Sequence, residues 1–124
     1  MRTIKFRGKS LHTGEWHYGD SVRPCDNTVF IQERGTAGFL SDPETVGQFT
    51  GLLDKNGKEI YEGDIIIEKL RRSRKDGERL VICFDDFEWQ GKNANGSTTS
   101  LSLLVEYHTI EVIGNIHDNP ELME

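Results

Sequence analysis

Apolar and polar positions alternate along this chain in short bursts, each closed by Gly, Asn or Asp, a pattern that predicts strands rather than helices. Thr3 to Arg7 reads as a first strand with Ile4 and Phe6 on one face. Glu15 to Tyr18 reads as a second, after a turn or loop over Gly8 to Gly14. Thr28 to Gln32 (TVFIQ) is a third, rich in β-branched and aromatic residues. Gly35 to Gly38 then loosens the backbone. Ser41-Asp42-Pro43-Glu44 fits a helix start, with Asp42 as the cap, Pro43 at the first helical position and Glu44 favourable near the positive end of the dipole. Gly47 follows after about one turn, so a short helix or 3₁₀ turn is expected.

The run Gly47 to Ile67, GQFTGLLDKNGKEIYEGDIII, concentrates the strongest turn signals. Asn56-Gly57 predicts a type I′ hairpin turn, because both residues tolerate positive φ. Leu52 and Leu53 precede it, Ile60 and Tyr61 follow, and the Asp54 carboxylate is placed to brace it. Glu62-Gly63-Asp64 forms another turn, opening onto Ile65-Ile66-Ile67 as in small, strongly bent β-barrels. Beyond it, Ile65 to Leu70 and Leu80 to Phe84 are expected to form a long, protruding hairpin turning at Asp76-Gly77. Phe87 to Gln90 and Leu101 to Tyr107 form a third expected pair of strands, joined by a mobile loop over 91–100 (GKNANGSTTS). Ile110 to Ile113, with Ile116 as a further candidate, supplies the last strand; Asn119-Pro120 ends regular structure, with a final helical turn from Pro120 through Met123 as the alternative. No longer sequence repeat is evident. The expected architecture is a single, mostly β domain over residues 1–124: a small, partly open, SH3-like or related β-barrel with short helical turns.

Composition agrees. A chain of 124 residues with 35% hydrophobic content supports one modest core, and 13 glycines against three prolines fit a turn-rich, strand-rich chain. No membrane-spanning apolar run or signal-peptide core is present, so a cytoplasmic protein is expected. Cys25 and Cys83 lie far apart with no CxxC spacing, which fits reduced, structural thiols. His12, His17, His108 and His117 are too scattered for a recognisable metal site. Neither a metal nor another cofactor is expected.

Charge singles out one segment. Lys69 to Arg79 holds six basic residues, Lys69, Arg71, Arg72, Arg74, Lys75 and Arg79, against two acidic ones. The local charge of +4 leaves −10 for the rest of a chain whose total is −6. A basic finger of this kind suits phosphate contacts on DNA or RNA, with salt-sensitive affinity and little base readout. The same charges also suit a solvated hairpin that resists edge-to-edge aggregation. Asp64, Glu68, Asp85, Asp86 and Glu88 are candidates to hold Mg²⁺ or Mn²⁺ for phosphodiester hydrolysis, yet Asp64 and Asp85-Asp86 also fit turn-bracing roles. No nucleophile elbow or phosphate-binding glycine loop occurs. Trp16, Phe49, Tyr61, Phe84, Trp89 and Tyr107 would build either an aromatic ligand platform or, more simply, the core. Leu103-Leu104-Val105 breaks strict alternation, so a strand over Leu101 to Tyr107 needs burial on both faces, in the core or at a subunit interface.

The run TGLLDKNGKEIYEGD resembles the signature of the YopX family of bacteriophage and prophage proteins. The amino-terminal MRTIKFR and the carboxyl-terminal VIGNIHDNPELM resemble the two ends of the same family, so the likeness touches both ends and the centre. On this resemblance Gly51, Asp54, Asn56, Gly57, Tyr61, Gly63, Asp64, Gly114 and Asn115 are signature positions with structural roles. The resemblance implies a phage-related origin and a largely β fold, with no established activity or catalytic residue. The expected function is a non-catalytic accessory protein of the bacterial host's cytoplasm that binds a host or phage macromolecule, with homo-oligomerisation open. Nucleic-acid binding through Lys69 to Arg79 and metal-dependent hydrolysis through Asp64 and Asp85 are the alternatives.

Overall fold

The computed structural model describes residues 3–69 and 76–124, and the chain packs as two compact units, Met1–Phe49 and Thr50–Glu124. The elements are mostly antiparallel strands, and the described residues form open sheets rather than a closed barrel.

In the first unit, β1 (Phe6–Lys9) pairs with β2 (Trp16–Gly19), matching Phe6 to Gly19 and Lys9 to Trp16. The strand expected at Thr3 starts later, at Phe6. The backbone of residues 6–9 is held by β2, while Ile4 lies outside the strand and stays 55% exposed. β3 (Ser21–Cys25), β4 (Thr28–Gln32) and β5 (Phe39–Ser41) form a meander in that order. Ile31 of β4 is fully buried beneath the β1–β2 hairpin. The approach is close: a Cβ on Gly19 would lie 2.6 Å from the Gln32 carbonyl, and one on Gly8 would lie 2.7 Å from Ile31 Cδ1. Only glycine permits that spacing between backbone and core.

The expected 3₁₀ turn forms at Pro43–Thr45, where Asp42 Oδ1 accepts the Glu44 N–H at 3.0 Å. Thr45 Oγ1 donates to Asp42 O and accepts the Lys9 N–H, which ties the turn to β1. β6 (Gly47–Leu53) begins in this unit, with Gly47 opposite Arg7 and Gln48 opposite Phe6. Its later residues belong to the second unit, where they lie beside β7 (Glu59–Tyr61).

The rest of the second unit is built on β8 (Asp64–Lys69), β9 (Asp76–Asp85), β10 (Glu88–Lys92), β11 (Thr98–Ser100) and β12 (Thr109–Asn115). They form one antiparallel sheet in the order β11-β10-β9-β8-β12. A helix, α1 (Leu101–Tyr107), crosses between β11 and β12. Its core contains Ile60, Ile66, Leu80, Ile82, Leu101, Leu104 and Ile110, with Leu52, Trp89, Val105 and Val112 packed around it. Burying each such aliphatic side chain contributes about 1.5–3 kcal/mol. Among the described residues no helix is long and apolar enough to cross a membrane.

Three local expectations are corrected. Leu101 to Tyr107 is a helix, because Leu101, Leu104 and Val105 recur at the i, i+3, i+4 spacing of one helical face and bury together. Asp76-Gly77 is not a turn: both residues lie in β9, Asp76 pairs with Lys69, and the connection comprises residues 70–75, outside the described residues. Residues 91–100, expected as a mobile loop, take the form of a hydrogen-bonded hairpin. Gly91 and Lys92 extend β10, Thr98 to Ser100 pair with it, and Asn93 Oδ1 accepts the N–H groups of Asn95 and Ser97.

Candidate functional site

The turn at Asp54–Lys58 forms, but not as type I′. Gly57 adopts φ +79° while Asn56 does not enter the positive region. Gly57 N–H donates to Asp54 O and Asp54 N–H to Lys58 O, which makes a three-residue turn with glycine at the bulge position. Asp54 closes it. Its Oδ1 accepts the N–H groups of Asn56 and Lys58, both at 2.9 Å, and its Oδ2 accepts the Val112 N–H of β12 at 3.0 Å. Burial alone would raise the Asp54 pKa, but the N–H donors of Val112, Lys58 and Asn56, together with the Lys58 charge, outweigh it and hold the carboxyl below the ordinary aspartate value. Lys55 N–H donates to Ile110 O, so this hairpin is bonded along the edge of β12.

The same device recurs at Tyr61–Asp64. Asp64 is 2% exposed, and its Oδ2 accepts the Tyr61 N–H at 2.8 Å across the turn. Gly63, at φ +88°, donates its N–H to Ile82 O and accepts from Ile116 N–H, which joins the turn to β9 and to the chain after β12. Tyr61 is buried, and its hydroxyl donates to Glu59. Gly51, at φ +87°, bends β6 where Thr50 Oγ1 donates to Ile60 O and accepts the Leu52 N–H. At the end of β12, Asn115 Oδ1 accepts the N–H groups of His117 and Asp118 while its amide donates to Asp118. Gly114 allows Asn119 to fold back, since a Cβ there would lie 2.6 Å from Asn119 Oδ1. The nine positions singled out by the resemblance lie in turns, bends and strands of the fold.

Of the six candidate basic residues, two, Lys69 and Arg79, lie among the described residues. Arg71, Arg72, Arg74 and Lys75 lie outside the described residues. Lys69 lies 3.5 Å from Glu111 Oε2, a carboxylate shared with Lys55, and Arg79 donates to Leu122 O at 3.0 Å beside an open depression of about 250 Å³. Of the candidate acids, Asp64 is held in its own turn, Glu68 lies on β8, and Asp85, Asp86 and Glu88 share the β9–β10 hairpin. Asp85 Oδ1 accepts the Asp86 N–H, Glu68 lies 2.7 Å from His108 Nδ1, and no group of three or more potential metal ligands occurs among the described residues. His17 stacks on Phe39 at 3.6 Å. Both cysteines are free, and burial first, then the nearby Asp85 and Glu62 carboxylates against the opposing Lys92 charge, push the Cys83 thiol up, away from a reactive thiolate.

Of the six candidate platform aromatics, Phe49 and Tyr61 are buried, and Trp16 lies under the Arg7 guanidinium at 4.5 Å. The others reach the surface of the second unit. Tyr107 is 65% exposed on α1, and Phe84 of β9 is 55% exposed, in edge-to-face contact with its cross-strand partner Trp89 at 5.1 Å. Sequence reasoning missed the residue between them in the hairpin. Asp86 and Phe87 are the two central residues of the β9–β10 turn, both at positive φ (+50° and +64°), so the type I′ turn lies here and not at Asn56-Gly57. Phe87 is 97% exposed. The one available signal was Asp85-Asp86 directly after an apolar strand; nothing in the residue type at 87 marks a left-handed position.

The family model described as "YopX protein" matches residues 5–124, across both units. A search of curated proteins returns no match. Two solved structures are similar over the whole chain. Protein EF1440 from Enterococcus faecalis has 26% identity and a TM-score of 0.59, covering 100% of both chains. The yopX protein from Bacillus subtilis has 24% identity and a TM-score of 0.64, covering 100% of this chain and 98% of its own, a likeness of fold. With its central turns and its Gly114-Asn115 end inside the matched span, this chain belongs to the YopX protein family.

Proposed function

We propose that this chain is a non-catalytic binding module, a phage or prophage accessory protein that engages a host or phage protein in the bacterial cytoplasm. One observation carries the reading. The signature carboxylates and amides, Asp54, Asp64 and Asn115, are spent on backbone N–H groups within the fold, whereas large apolar side chains such as Phe84, Phe87 and Tyr107 stand in solvent. Side chains committed to holding turns are poorly placed for acid–base or metal chemistry. The resemblance of the TGLLDKNGKEIYEGD run to bacteriophage and prophage proteins supports the biological setting.

Nucleic-acid binding has less support, because two of its six candidate cations, Lys69 and Arg79, already have partners within the fold. The test is capture by tagged protein from host lysate at low salt, with and without nuclease. Nuclease-resistant protein partners are the expected result. Partners that all disappear on nuclease treatment would favour nucleic acid and the basic segment instead.

A further inference from the structure

The β9–β10 hairpin carries a combination that folding does not call for. Its turn sets Phe87 at φ +64°, a conformation suited to Gly or Asn, and leaves the ring 97% exposed. Asn or Gly at this position would serve the turn better, and neither would place an aromatic ring in water. The hairpin is also well braced. Asp85 and Glu88 pair directly across the two-residue turn, Asp85 Oδ1 accepts the Asp86 N–H, and Gln90 Nε2 donates to Asp85 O. Behind the tip, Phe84 meets Trp89 edge to face, and Trp89 packs on the core around Leu80, Ile82 and Leu104. An exposed aromatic group is thereby rooted in the core through a strip that needs little ordering on contact, the property of an interface anchor.

Charge narrows what it fits. From Phe84 to Gln90 the hairpin holds Asp85, Asp86 and Glu88 and no basic residue. Three carboxylates within two residues of Phe87 repel phosphate backbones and anionic lipid surfaces, and they complement lysine or arginine. We infer that this hairpin tip is a docking anchor that inserts Phe87 into an apolar pocket rimmed by Lys or Arg on a protein partner. The inference rests on the binding-module reading above and supplies its contact surface and the chemistry of its partner.

The test replaces Phe87, or Tyr107 on α1 as an exposed aromatic control, with photoreactive p-benzoylphenylalanine in the full chain, and irradiates it in nuclease-treated host lysate. The attachment point on the partner is then mapped. Crosslinks from position 87 into an apolar site flanked by Lys or Arg are expected. Phe87→Gly, which keeps the turn conformation, is expected to lower capture of that same protein at least about tenfold without lowering the melting temperature. Asp86→Asn, which also tolerates the turn, is expected to weaken capture less and to flatten its salt dependence. Crosslinks from position 107 but none from 87, or capture unchanged by Phe87→Gly, would overturn the tip assignment while leaving the binding module standing. An attachment site with no apolar pocket would overturn it as well. No crosslink from either position, with no nuclease-resistant capture, would remove both readings.

Discussion

At the scale of single residues, the second unit depends on Asp54. One buried carboxylate accepts three backbone N–H groups, two within its own turn and one on β12. Asp54→Ala is expected to lower unfolding free energy by about 2–4 kcal/mol in urea titration, and Asp54→Asn by roughly half that. Because the folded pKa lies below the unfolded one, this contribution is fully present above about pH 4 and is lost as pH falls through the folded value. Stability should therefore fall more steeply on acidification in the wild type than in Asp54→Asn, and parallel curves would contradict the assignment. Phe87 gives the opposite expectation. Removing its side chain relieves a left-handed strain of about 1–2 kcal/mol, partly offset by the greater unfolded-state freedom of glycine. Thermal unfolding of Phe87→Gly should be unchanged or shifted upward, and a clear loss would mean that the ring packs. Asp54 was legible as a turn brace in sequence because a short carboxylate preceding Asn-Gly has few other uses. Phe87 was not, since its role comes from the pairing of Asp85 with Glu88 across it.

Among the elements, α1 decides the packing of the sheet it covers. Leu101 and Leu104 are buried, while Leu103 is 51% exposed. Leu104→Ala is expected to cost about 2–5 kcal/mol and Leu103→Ala less than about 0.5 kcal/mol. Similar costs at both positions would indicate a strand buried on both faces, not a helix with one buried stripe. Seven residues are too few for periodicity to separate a helix from a buried strand, so LSLLVEY read as extended. Its true neighbours, Gly91 and Leu80, are brought to it by β9 and β10, and tertiary packing settled the choice. The two longer turns behave alike: DKNGK at 54–58 and NANGS at 93–97 both close with a leading Asx side chain on backbone N–H groups and glycine at positive φ. That local pattern was visible in both places. The first was read as type I′ and the second as a linker, because Asn-Gly alone does not specify loop length.

For the molecule as a whole, strand content, the short 3₁₀ turn after Asp42 and the family were all legible, since each rests on local turn chemistry or on a contiguous motif. The surface was not, because exposure is set by which strands pair and where the core ends. The sequence-level charge feature lies in Lys69 to Arg79, whereas the structural feature is the acidic, aromatic tip of the next hairpin. These two features call for different partners, phosphate for the first and a basic-rimmed apolar pocket for the second. The most direct measurement is quantitative capture from nuclease-treated host lysate by three proteins compared side by side: wild type, Phe87→Gly, and a variant with Arg71, Arg72, Arg74 and Lys75 all replaced by Gln. The account predicts that Phe87→Gly loses at least about tenfold of the partner while the charge variant retains it. Retention by Phe87→Gly with loss in the charge variant would contradict it.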